Sequence, residues 1–106
     1  MLVRDFLNLI DSFAPFSLAQ DWDNSGLMVG NYDSQVNKIA ITLDPTCEAV
    51  LSASQNNCNV LLTHHPLLFR PVKKIDINSE PGKTISVAIK HNINIISVHT
   101  NWDITD

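Results

Sequence analysis

Apolar side chains along this chain follow two periods, one helical and one of strand type, and the switches between them mark out its elements. Leu2, Phe6, Leu9, Ile10 and Phe13 are spaced for one face of a helix over 2–13, which Pro15 ends. A polar connection over 17–25 leads to Gly26-Leu27-Met28-Val29-Gly30, a short strand between glycines, and 31–34 make a turn. Lys38 to Leu43 alternates in part and predicts a second strand. Asp44-Pro45 reads as a helix start, with the carboxylate as N-cap and proline at the first helical position. That helix runs to about Gln55 and buries Ala49, Val50 and Ala53, and Asn56-Asn57 closes it.

The continuous apolar run Val60-Leu61-Leu62 predicts a buried strand. Residues 67–79 carry Pro71 and mixed polarity, which predicts a loop with little regular structure. Ser79-Glu80-Pro81 opens another helix, with Ile85, Ala88 and Ile89 inward and His91-Asn92 at its end. A last strand spans 93–98. The order is helix, hairpin-like strand pair, helix, strand, loop, helix, strand. Strands alternating with helices predict an α/β fold, a mixed sheet with parallel βαβ crossovers flanked by helices.

At 106 residues the chain is expected to be a single domain, 1–106, with one modest core. Its 44% hydrophobic and 17% charged residues exclude a disordered chain. The formal charge of −4 offers no overall basic balance for nucleic acid or an acidic membrane. Cys47 and Cys58 are too few for a disulfide framework and read as reduced, partly buried thiols. No apolar run is long enough to span a bilayer and no signal-peptide block opens the chain, so a cytosolic protein is expected.

The candidate chemistry lies where the strands end. His64 and His65 stand directly after the Val60 to Leu62 run, and the 93–98 strand leads into His99-Thr100-Asn101-Trp102-Asp103. In an α/β sheet both would reach the carboxyl edge, where such folds bind ligands. Adjacent residues in a strand point to opposite faces, so both imidazoles serve one centre only if the chain turns there. Pro66 favours that turn. One metal each, in a closely spaced pair, is the other arrangement. Two imidazoles and the Asp103 carboxylate suit a divalent transition metal, with His99 or Asn101 orienting ligands.

Each of these residues also has a plainer reading. His64 and His65 could be surface residues after a strand, and Asp103 a helix N-cap. Asp44 follows the 38–43 strand and reaches the same edge, although the cap role is favoured for it. Trp22, Asp23 and Asn24 alone mean only an ordered loop, which in the metal-site reading helps shape the pocket. Gly82-Lys83-Thr84 is not a phosphate loop, because Ile77 stands where the leading glycine is required. No nucleophilic triad is evident.

Taken in order, Trp22-Asp23-Asn24-Ser25-Gly26-Leu27 with Gly30, Leu43-Asp44, Thr63-His64-His65-Pro66 and His99-Thr100-Asn101-Trp102-Asp103 resemble one family. It is the GTP cyclohydrolase I type 2 homologues, also called NGG-interacting-factor-like proteins. The resemblance covers about Ala19 to Asp103. It implies a dinuclear metal site on an α/β fold, in a ring-shaped homohexamer, with His64, His65 and Asp103 matching metal ligands. Family members complete the site with a His and a Glu near their C-terminus, on one helix. No such pair is present here, so the chain is expected to be an N-terminal portion of a longer family member. Trp102 stands where a leucine is common.

The resulting expectation is a metal-dependent hydrolase in the full-length parent, in which a metal-activated water attacks a nucleotide substrate. The cofactor is a divalent cation, and the ligand types admit Zn, Fe, Mn, Co or Ni. A non-catalytic metal-binding interaction or regulatory protein is the rival expectation. The isolated chain is expected to be marginally stable or self-associating, with little or no catalysis under either reading.

Overall fold

A computed structural model describes residues 1–16 and 25–98 of the chain. Three helices flank a four-stranded sheet: α1 (Val3–Phe13), β1 (Gly26–Val29), β2 (Ile39–Thr42), α2 (Cys47–Gln55), β3 (Val60–Thr63), α3 (Gly82–Lys90) and β4 (Asn94–Ser97). The strand order is β1-β4-β3-β2. β2, β3 and β4 are parallel neighbours, and β1 pairs antiparallel with β4. The α/β class with parallel crossovers is therefore the observed one.

The expected hairpin-like pairing of the first two strands is not formed, since β1 and β2 lie at opposite edges of the sheet. The connecting segment spends its hydrogen bonds on the N-terminus instead. Val3 N donates to Ser34 O, Arg4 N to Tyr32 O, and Val36 N to Met1 O. Arg4 also forms an ion pair with Asp33. This clasp draws the chain out of β1 across the start of α1, which precludes a tight turn.

Each strand divides its residues between two apolar clusters, as period-two geometry requires. Leu61 and Ile95 join Val50, Ala53, Ile85 and Ala88 beneath α2 and α3. Val60 and Ile96 join Val3, Ile10 and Ala14 beneath α1. All four residues of β4 are buried, as suits a central strand covered on both faces.

Two helices sit differently from the periodicity reading. In α1 the buried stripe runs through Val3, Ile10 and Ala14, with Phe6 and Leu7 partly buried, while Leu9 turns outward. In α3 the buried residues are Gly82, Thr84, Ile85 and Ala88, and Ile89 is 63% exposed. α3 packs on α2 as well as on the sheet, and Thr84 Oγ1 lies 3.4 Å from Cys47 Sγ. That second contact rotates the buried arc toward Thr84 and carries Ile89 out of it. Cys47 and Cys58 are both free thiols, the first partly buried and the second buried.

The long β3–α3 connection contains no helix or strand, as expected, but it is anchored at both ends. Leu67 and Leu68 pack against the core beneath α2 and α3. At the other end the Asp76 backbone presses on Gly82, where an added Cβ would lie 2.2 Å from the Asp76 carbonyl oxygen. Because the obstacle is backbone, Gly82→Ala is expected to destabilise the fold by about 1–3 kcal/mol. Urea unfolding of the variant against the parent chain checks this; an unchanged midpoint would contradict the packing described.

Candidate functional site

The three parallel strands end together. Thr42, Thr63 and Ser97 are in register across β2, β3 and β4. One step further, His65 N donates to Leu43 O at 3.0 Å and Val98 N donates to Thr63 O at 2.9 Å. The main chain bends at His64 and His65, so the turn that would let neighbouring imidazoles share one edge is present. Their ring centroids are 5.2 Å apart, with the planes inclined at 47°.

Each ring is oriented by a different neighbouring strand end. His64 Nδ1 lies 2.9 Å from the carbonyl oxygen of Val98, directly after β4. A carbonyl can only accept, so this nitrogen carries the hydrogen, and the lone pair of the neutral ring is on Nε2. His65 Nδ1 lies 2.5 Å from Asp44 Oδ1, just after β2. The same tautomer follows from that carboxylate. An imidazole whose Nδ1–H is given to a carbonyl or carboxylate is the arrangement in which Nε2 serves as a metal ligand.

Asp44 therefore does not cap α2. The cap is Thr46, whose Oγ1 accepts a hydrogen bond from Ala49 N at 3.1 Å. Both Asp44 and Thr46 are good capping types, but α2 starts at Cys47, two residues too late for Asp44 to be the residue before the first turn. This places Asp44 at the edge as a partner of His65, which fits the alternative reading of that residue.

Two buried hydroxyls hold the histidine backbone, and neither was given a role from sequence. Thr63 is 1% exposed and its Oγ1 donates to His65 O at 2.8 Å. Ser97 is fully buried and its Oγ donates to His64 O at 3.4 Å. The available signal was a polar residue closing each of two strands after a pair or more of apolar ones. Beside His64, an open pocket of about 530 Å³ is lined, among the described residues, by Ile41, Thr42, Leu43, Leu62, Thr63 and Val98. One wall of the edge is thus apolar.

Trp22, Asp23, Asn24, His99, Asn101 and Asp103 lie outside the described residues. Among the described residues no three His, Cys, Asp or Glu side chains converge on one point. The described part of the edge supplies two oriented imidazoles and one carboxylate, already engaged by an imidazole.

The fold and this edge define an α/β protein whose parallel strands present a paired-histidine turn at their carboxyl ends. A family model matches residues 1–106, and the chain belongs to that family, Duf34/NIF3 (NGG1p interacting factor 3). The chain is 46% identical over 101 residues to a Clostridium acetobutylicum protein named GTP cyclohydrolase 1 type 2 homolog, covering 95% of this chain and 38% of the relative. It is 39% identical over 104 residues to the Helicobacter pylori protein named GTP cyclohydrolase 1 type 2, covering 98% and 42%. A crystal structure of a Staphylococcus aureus protein superposes with a TM-score of 0.93 at 40% identity, over 97% of this chain and 33% of that one. The chain thus spans well under half the length of these relatives. Among the described residues, no helix is long and apolar enough to cross a membrane.

The ring orientations give a direct spectroscopic expectation. At about pH 8.5, above the ordinary imidazole range, long-range 15N–1H NMR is expected to find hydrogen on Nδ1 of both rings. Asp44→Ala removes the His65 acceptor and lets that hydrogen redistribute to Nε2, whereas His64, held by Val98, keeps its tautomer. A shift at His64, or none at His65, would contradict the geometry.

Proposed function

We propose that His64 and His65 bind divalent metal through Nε2, with Asp103 as a carboxylate ligand, in a metal-dependent hydrolase acting on a nucleotide. The observation that carries this is the pair of Nδ1 contacts, to Val98 O at 2.9 Å and to Asp44 Oδ1 at 2.5 Å. Both fix the tautomer a ligating imidazole needs. Neutral imidazole and carboxylate suit Zn, Fe, Mn, Co or Ni. A divalent cation at such a site supplies Lewis acidity and a water of lowered pKa.

The chain's own residues prepare the edge for that chemistry. Val98 and Asp44 hold the two rings at fixed angles, and Thr63 and Ser97 hold the main chain from which the rings project. The apolar pocket beside His64 limits water on one side, which strengthens electrostatic interactions there. The nucleotide reading draws on the GTP cyclohydrolase names of the relatives. His99, Asn101, Trp22, Asp23 and Asn24 are proposed to orient ligands or shape the pocket.

Self-association, up to a homohexamer in the full-length protein, and a cytoplasmic location belong to the same proposal. Ile41, 80% exposed on edge strand β2, and Leu43, 58% exposed just after that strand, support association. The same exposed stripe favours a second reading, a non-catalytic metal-binding platform for partners. Turnover of a nucleotide by the metal-loaded full-length protein separates the two. Tight metal binding with no turnover across a nucleotide panel supports the platform.

Metal content after dialysis, measured by plasma mass spectrometry, tests the shared part of both readings. Roughly one or more equivalents of transition metal are expected in this chain, and little in the His64→Ala/His65→Ala variant. Asp44→Ala is expected to bind the metal about 10–100-fold more weakly. Equal metal in parent and double variant, or none in either this chain or the full-length protein, would overturn the site. For the hydrolase, His65→Ala in the full-length protein must lose far more turnover than a surface substitution.

A further inference from the structure

Strand β2 closes the sheet on one side, and among the described residues no strand pairs with its outer edge. The Lys38 carbonyl accepts from Asn59 N at 3.1 Å and from Val60 N at 3.4 Å, so it faces β3. Alternation along the strand then turns the main-chain N–H and C=O groups of Ile39 and Ile41 to the open side. Such a row is a template for another strand, which proteins commonly blunt with lysine, proline or an inward-pointing charge. Here 39–43 reads Ile-Ala-Ile-Thr-Leu, without charge or proline, and Lys38 and Asp44 stand just outside it.

The side chains agree with the backbone. Ile39 packs on the α1 side of the sheet and Ala40 on the α2 side. Ile41 therefore shares the face of Ile39, where it is 80% exposed. The segment is also nearly symmetric in chemistry about Ile41. Antiparallel pairing of two copies centred there sets Ile41 against Ile41, Ile39 against Leu43, Ala40 against Thr42 and Lys38 against Asp44. Residues directly opposite share a face, so the apolar members form one stripe across the seam, and the opposite charges meet once at each end. Parallel pairing in register would instead set Lys38 against Lys38 and Asp44 against Asp44, which repel. A slip of one residue would put apolar groups on opposite faces.

We propose that β2 is the seam of a two-fold dimer of this chain, with Lys38 of each copy paired to Asp44 of the other. This rests on the self-association reading above and goes beyond it by naming the surface and its register. Asp44 Oδ1 lies 2.5 Å from His65 Nδ1. Lys38 of the second copy is therefore a positioning residue for the histidine edge, acting through the carboxylate that aims His65. A seam of one short strand per copy is at the small end of specific interfaces, so the dimer is reversible and depends on concentration.

Sedimentation velocity from low to high micromolar protein, at low salt, tests the seam. Lys38, Ile41 and Asp44 are all exposed, so exchanging them leaves the core intact. Ile41→Lys sets like charges together on the two-fold axis and is expected to weaken association about tenfold or more. Lys38→Glu and Asp44→Lys each create two like-charge pairs and are expected to weaken it about three- to tenfold. The Lys38→Glu/Asp44→Lys variant restores opposite pairs and should return to within about threefold of the parent. Lys90→Glu changes the net charge equally at the end of α3 and should stay within about twofold. The His65 ring resonances should move with concentration in the parent and stay fixed in Ile41→Lys. A chain that is monomeric throughout overturns both the seam and the association reading. Association that neither Ile41→Lys nor Lys38→Glu weakens overturns the seam alone. Failure of the double exchange to recover overturns the Lys38–Asp44 register, and a dimer that leaves the His65 resonances in place overturns the positioning role of Lys38.

Discussion

Everything at the functional edge depends on the parallel register of β2, β3 and β4. With Thr42, Thr63 and Ser97 level, the following residues of the outer strands arrive on either side of His64 and His65. The Val98 carbonyl meets one ring and the Asp44 carboxylate meets the other. A slip of one residue would send each side chain to the other face of the sheet and break both contacts. The register is itself held by burial, since Leu61 and Ile95 belong to one core and Val60 and Ile96 to the other. Hydrophobic alternation in the middle of the strands thus sets the angles of two imidazoles beyond their ends.

The polar groups at the edge divide into those that hold the fold and those that aim the rings. Thr63 and Ser97 are buried, and each donates to a main-chain carbonyl of the bend. Such hydrogen bonds contribute about 0.5–1.5 kcal/mol net, and losing one partner costs more. The His65–Asp44 contact differs, because the two side chains are 45% and 58% exposed. An exposed pair of this type adds about 0–1 kcal/mol. Its consequence is orientation: it sets the tautomer and the ring plane at little thermodynamic cost to the fold.

Much of this was readable from the residues, because strong local patterns agreed with the tertiary outcome. The continuous run Val60-Leu61-Leu62 had to be a buried strand, and Pro66 made a bend at the histidines physically reasonable. The misreadings share one cause, which is choice between equivalent local options. Asp44 and Thr46 are both capping types within three residues, and only where the first turn closes selects Thr46. Ile89 and Thr84 both lie within reach of the α3 buried arc, and packing on α2 turned it toward Thr84. β1 could pair with a sequential neighbour or with β4, and the clasp from Met1, Val3 and Arg4 to residues 32–36 decided it. Long-range contacts of that kind leave no periodic trace in a sequence.

The edge also combines two surfaces of opposite character, and their juxtaposition matters for any ligand that binds there. On the α1 side, Ile41, Leu43, Leu62 and Val98 form an apolar wall that reaches His64. On the helix side, the connection bearing Arg70, Lys73 and Lys74 departs directly from His65 and Pro66. The paired imidazoles stand at the junction, each braced from a different strand.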